Sequence, residues 1–276
     1  MIKRIVTGVI LAAILIPLVI LGDWYFIALA AVLAYIANYE LLAMFSKKDA
    51  ILSKLKFTMP LLSSLTIIFC YLDSTMILPL IVAGTLVFMI GMVLNKCVSA
   101  NTCIILIFSY MYGGFLFYLT TILRNINVFV IAIVFITVML TDVGGYMFGY
   151  LFGKHKLCPN ISPKKTIEGA ILGTLFGVVC GVGCYFLVTR GLDKVVLLPI
   201  FNLNLGLEIL SIVGIILLLS IVGQLGDLVA SKLKRAYDIK DFGNIFPGHG
   251  GVLDRFDSTL IACAIMYVIC YMIGVI

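Results

Sequence analysis

Nine apolar runs divide the chain, at residues 5–21, 25–45, 57–72, 76–95, 102–123, 128–152, 169–189, 208–229 and 259–276. Each is close to the length of about 20 residues that a helix needs to cross about 30 Å of hydrocarbon. Leucine, isoleucine, valine and methionine fill the runs continuously, whereas a membrane barrel would show alternating segments of about ten residues. The pattern predicts an all-α polytopic membrane protein with about nine transmembrane helices. Its first run follows Lys3 and Arg4, is longer than the usual core of a signal peptide and leads straight into a second span, so it is expected to be retained.

Composition supports lipid as the main solvent. Of 276 residues, 63% are apolar and 12% charged, about half the charged fraction of an average soluble chain. If the amino terminus is cytoplasmic and every run crosses once, 16 of the 19 basic residues fall on the inner side, and only Arg124, Arg190 and Lys194 fall outside. The positive-inside rule then holds at nearly every loop, and the carboxyl terminus is expected outside. The net charge of +6 is split among short loops between spans. Anionic headgroups would attract such loops, but they offer no basic face of the kind nucleic acid requires, so no nucleic-acid partner is expected. Eight cysteines lie mostly in or beside the runs without a Cys-x-x-Cys pair, and read as small core packers.

Polar chemistry gathers in the second half. The sequence divides into an N-terminal region, residues 1–125 with about five spans, and a C-terminal region, residues 126–276 with about four spans and the inner polar segments 153–168 and 231–258. Ionisable residues within spans are costly and usually face a wet cavity or a partner, which singles out Asp142 and Asp227. Ser220, Gln224, Asp227, Ser231 and Lys234 follow one another at steps of three or four residues and so share one helical face. That stripe describes either the wall of a cytoplasmic cavity or polar glue between helices. Glu40 also falls within a span, without comparable company, and marks either a site or the inner interface.

Glycines recur at every fourth position at Gly145, Gly149 and Gly153, and again at Gly169, Gly173, Gly177 and Gly181. Small residues at this period let helix backbones approach closely, so the sixth and seventh spans are expected to pack tightly, on each other or on a neighbour. A different glycine cluster, Gly243, Gly248, Gly250 and Gly251, lies among Lys240, His249 and Arg255 and the acids Asp241, Asp254 and Asp257. Freed backbone amides can form an anion-binding concavity, with basic side chains neutralising phosphate and aspartates holding Mg²⁺. The combination suits a metal-bound nucleoside triphosphate. The segment Gly149 to His155 is not a Walker loop either, because its glycines are spaced one residue too close and His155 stands where Ser or Thr should be, so a nucleotide site here is of another kind.

Ser231, Lys234 and Arg235, then Lys240, Asp241 and Gly243, then Phe246, Pro247, His249, Gly250, Gly251, Val252, Asp254, Arg255, Phe256 and Asp257 together resemble the signature of the phosphatidate cytidylyltransferase family over 27 residues without departure. The segment from Asp142 to Gly169, with Ser162, Pro163, Lys164, Lys165, Thr166 and Glu168, resembles the family too, while the first hundred residues contribute only hydropathy.

The resemblance implies CMP transfer from CTP to phosphatidic acid at the cytoplasmic membrane, giving CDP-diacylglycerol and pyrophosphate. It also implies a requirement for Mg²⁺, as one ion or two, and a homodimer. It assigns the metal to Asp227 and Asp254, with Asp142 and Asp257 as further candidates. Lys164, Lys165, Lys240 and Arg255 would neutralise phosphates. Ser162, Thr166 and Ser231, together with Lys234, Arg235, Gly250 and Gly251, would bind substrate, and His249 would orient the loop or donate to phosphate. A CTP-dependent alcohol kinase is the nearest alternative enzyme, and the full signature argues against it. A secondary transporter should carry related broken helices in both halves, whereas the polar residues concentrate in one.

Overall fold

In a computed structural model, residues 2–191, 204–246, 248 and 250–276 are described. Lys194 and His249, both part of the sequence reading, lie outside them. The helices run α1 (Ile2–Leu21), α2 (Asp23–Phe45), α3 (Ala50–Leu55), α4 (Met59–Leu72), α5 (Ile77–Leu94), α6 (Ala100–Tyr110), α7 (Leu116–Ile126) and α8 (Val128–Phe152). A hairpin of β1 (Lys156–Cys158) and β2 (Ser162–Thr166) precedes α9 (Ile167–Phe186), α10 (Leu205–Ala236) and α11 (Leu253–Met272).

Among the described residues, seven helical segments are long and apolar enough to cross a membrane: Asp23–Phe45, Ser74–Leu94, Ala100–Ile126, Val128–Phe152, Ile167–Arg190, Leu205–Ala236 and Leu253–Met272. Gly8–Leu21 and Met59–Leu72 are shorter apolar helices. All nine apolar runs of the sequence therefore fall on helices. Exposed Leu78, Val87 and Val93 on α5, and Ile171, Leu175 and Val179 on α9, give these helices the apolar exterior of a multi-pass membrane protein.

The chain forms two compact units, one of Met1–Thr121 with Ala236–Phe256, the other of Ile122–Arg235 with Asp257–Ile276. In the first, α2 packs on α4 and on a π-turn, Met111–Phe115, that joins α6 to α7. Close approach explains the glycines of that turn. A methyl on Gly113 would meet the Asn38 backbone at 3.0 Å, and one on Gly114 would meet the Ser63 hydroxyl at 2.6 Å. Asn38 donates to Ser63 (2.6 Å), and the hydroxyls of Thr66 and Tyr110 lie 2.8 Å apart, so part of this polar interior is paired between helices.

The second unit is built on the α8–α9 pair. Its two glycine ladders face each other: a methyl on Gly173 would sit 2.6 Å from the Gly145 nitrogen and 2.8 Å from the Thr141 carbonyl oxygen, and one on Gly169 would sit 2.7 Å from the Gly145 carbonyl oxygen. The expected tight packing is therefore between these two helices, backbone against backbone. Thr166 completes the join by capping α9, its Oγ1 accepting from the Gly169 amide at 3.1 Å.

Two helix ends differ from the hydropathy pattern. Helix α10 continues past the apolar run to Ala236 and carries Ser231, Lys234 and Arg235 in regular helix, while α11 starts at Leu253 and takes up Asp254, Arg255 and Asp257. Basic residues in a last turn and an acid in a first turn complement the helix dipole, so polar composition there extends the helices instead of ending them.

The glycine ladder predicts opposite effects at two positions of one helix. Gly173→Ala should destabilise the protein by about 1–3 kcal/mol through overpacking. Gly183→Ala, where nothing lies within 4 Å, should be neutral or stabilising through better helix propensity. Thermal melting in detergent micelles checks the pair.

Candidate active site

In the second unit, the polar stripe of α10 is met residue by residue. Ser220 and Thr141 hydroxyls lie 2.8 Å apart, and Gln224 Nε2 donates to Thr174 Oγ1 (2.7 Å) and to the Ala170 carbonyl (3.3 Å). These upper members are interhelical glue. Lower down the character changes: Asp227 pairs with Lys165 of β2 at 2.5 Å, both side chains about one-quarter exposed. The hairpin thus presents a cation to a helix-borne carboxylate.

Gly226, beside Asp227, lets α10 and α11 come together. A methyl there would lie 3.0 Å from the Asp257 carbonyl oxygen and 3.1 Å from the Ser258 Cα. Asp257 is buried, its carboxylate accepting from the Ser258 amide at 2.8 Å, and it interacts electrostatically with Asp227, Lys234 and Asp142. Lys234 is itself buried on α10. The unit thus brings together three carboxylates and two lysines, an alternation suited to a metal ion and to phosphate oxygens.

Other assigned residues are placed more peripherally or are already engaged. Arg235 donates weakly to the Ile161 carbonyl at 3.4 Å. Lys164 is exposed on β2, while Ser162 opens that strand and Ser231 is half-buried on α10. Thr166 is buried in its cap, so the hydroxyl given to substrate by the sequence reading acts in α9. The hairpin is closed by Glu168, which accepts from the amides of Lys154 (3.1 Å) and His155 (3.2 Å) and contacts His155 Nδ1 at 2.6 Å.

The first unit holds the glycine-rich loop, residues 237–252, with Lys240, Asp241 and Arg255 exposed at or beside it. Its glycines have different tasks. Gly250 takes φ +85°, a conformation that suits glycine, and Phe246 donates to its carbonyl at 2.9 Å. The neighbouring amides meet acids of the protein itself. Gly251 and Phe242 donate to Asp254 Oδ2 at 2.9 and 2.8 Å, and Val252 and Leu253 donate to the two oxygens of Glu40, each at 3.0 Å. The anion that occupies this amide concavity is internal carboxylate.

Asp254 therefore serves the loop through Oδ2. Glu40 is the residue whose place the sequence left open. It is buried on α2, and methyls on Gly243 or Gly251 would collide with its carboxylate. Position within a span was the one signal it offered.

Among the described residues, no three His, Cys, Asp or Glu side chains form a ready cage for a metal ion. The donor chemistry nevertheless suits Mg²⁺, which takes hard oxygen ligands and usually binds one or two carboxylates while phosphates and water complete its shell. Asp227 and Asp257 offer such oxygens in the second unit and Asp254 in the first.

The sequence matches the cytidylyltransferase family over residues 2–273. A phosphatidate cytidylyltransferase of Staphylococcus haemolyticus is 35% identical, over 96% of this chain and 97% of the relative. Enzymes of the same name from Staphylococcus epidermidis and Staphylococcus aureus are 36% and 33% identical over the same shares of each chain. With a match that runs almost from end to end and relatives of nearly equal length, the chain belongs to the cytidylyltransferase family.

Proposed function

We propose that the chain transfers CMP from CTP to phosphatidic acid, giving CDP-diacylglycerol and pyrophosphate. The observation that carries this reading is the contact of Lys165 with Asp227 together with the electrostatic interaction of Asp257 with Asp227, Lys234 and Asp142, in a chain whose relatives are named phosphatidate cytidylyltransferase.

The reaction brings two strongly anionic groups together. A phosphate oxygen of phosphatidic acid forms a bond to the α-phosphorus of CTP. The bond from that phosphorus to the bridging oxygen of the β-phosphate breaks, and pyrophosphate leaves with the electron pair. Positioning and charge neutralisation supply most of the catalysis in such transfers. The attacking phosphate monoester is largely ionised at neutral pH, so no strong general base is needed.

Lys165 and Lys234 in the second unit, and Lys240 and Arg255 in the first, are the cations proposed to hold phosphate oxygens. Asp227 and Asp254 are the principal carboxylates proposed for Mg²⁺, with Asp257 and Asp142 in support. When bound, the ion would neutralise phosphate oxygens and the charge that builds on pyrophosphate. Gly250 and Gly251 shape the loop.

The lipid substrate accounts for the membrane architecture, because phosphatidic acid keeps its acyl chains in the bilayer while its headgroup waits at the surface. Nine spans in the cytoplasmic membrane, with the amino terminus inside and the carboxyl terminus outside, would set the hairpin and the glycine-rich loop on the side where CTP is available. The distribution of Lys and Arg supports that topology.

Purified protein in mixed micelles with Mg²⁺ and CTP should release pyrophosphate only when phosphatidic acid is present. Asp227→Asn should lower that rate by about 10²-fold or more, with the melting temperature kept. A near-normal rate in this variant would remove Asp227 from the chemistry. Lys165→Met should raise the KM for CTP by about tenfold, the loss expected when one charge-assisted contact to phosphate is removed.

A further inference from the structure

The glycine-rich loop is held at both ends by the C-terminal half of α2 and the residues just beyond it. At the start of the loop, Lys48 Nζ donates to the Ala236 carbonyl at 2.9 Å and lies 4.5 Å from the centre of the Tyr237 ring, which Phe45 meets edge-on at 5.0 Å. At its end, Glu40 takes the amides of Val252 and Leu253, across 212 and 213 residues of sequence. These two amides belong to the N-terminal end of α11, where backbone donors lack helical partners. The next residues are Asp254 and Arg255.

Glu40 also limits how closely the loop can approach. A methyl on Gly251 would lie 2.5 Å from the Glu40 carboxyl carbon, and one on Gly243 would lie 2.7 Å from it. One carboxylate therefore sets both the hydrogen bonds and the spacing of the loop.

We propose that Glu40 is a positioning residue for the CMP transfer proposed above, a reading on which this inference rests. Its two carboxylate oxygens fix the end of the glycine-rich loop and the first turn of α11, and thereby fix where Lys240, Asp254 and Arg255 stand. The role needs two acceptors at one distance. Gln supplies one acceptor and turns an N–H toward the second amide; Asp is one methylene too short.

The test compares wild type with Glu40→Gln and with Gly251→Ala, which presses on the same carboxylate from the loop side while leaving Glu40 intact. Amide hydrogen exchange in micelles should show faster exchange in peptides covering residues 242–253 for both variants, with the α8–α9 peptides unchanged. The KM for CTP should rise, and kcat/KM should fall by about 10- to 100-fold, the scale expected when reacting groups are displaced by an ångström or less. A smaller amount of folded enzyme would lower kcat and leave KM and the exchange pattern as they were, and that result would overturn the proposal. Unchanged exchange in Glu40→Gln would equally overturn the anchoring geometry, and faster exchange with normal kinetics would overturn its link to catalysis. Absence of phosphatidate-dependent transfer in wild type would instead refute the proposed reaction, with the exchange experiment still reporting on the anchor.

Discussion

A carboxylate inside an apolar helical protein persists only where a cation or a set of N–H donors meets it, because the surrounding hydrocarbon offers neither. That requirement shapes both units of this chain. In the first, Glu40 and Asp254 share four backbone amides of the glycine-rich loop and the start of α11. In the second, Asp227 finds Lys165, and Asp257 finds the Ser258 amide within the field of Lys234. Hydrogen bonds to charged groups contribute about 1.5–3 kcal/mol each, more than neutral ones, and so give short irregular segments a definite shape. Irregular segments are thereby anchored at defined points.

Glycine serves this requirement in both units. Along α8 and α9 it removes side chains so that two backbones touch, which places the β1–β2 hairpin and Lys165 at the end of a stiff pair. At Gly226 it brings the backbone of α11 against α10 beside Asp227, and at Gly243 and Gly251 it makes room for a carboxylate. At Gly243 and Gly251 the absence of a side chain is what lets a charged neighbour take its place.

Much of this was legible in the sequence. Hydropathy located the helices because continuous apolar runs can satisfy their backbones in lipid only as helices, and the four-residue period of the glycines announced the α8–α9 contact. The polar stripe of α10 was visible as a face, although its division into glue at Ser220 and Gln224 and charge at Asp227 depended on what stands opposite. Helix ends are less visible, since mean hydropathy is blind to caps: Thr166 immediately before an apolar run is a capping signal that hydropathy alone does not register. Glu40 was out of reach, because its partners are backbone amides more than two hundred residues away, and an amide carries no sequence signature.

The resulting picture is of acids and bases held ready by fixed partners, in a family whose chemistry joins two phosphate-bearing molecules. The most direct test follows the phosphorus atoms of CTP. Purified protein is supplied with Mg²⁺, phosphatidic acid and CTP labelled in either the α- or the γ-phosphate. The account predicts α-label in a lipid product that comigrates with CDP-diacylglycerol, and γ-label in pyrophosphate. Transfer of γ-label to an acceptor with release of CDP would contradict it and would point to a kinase.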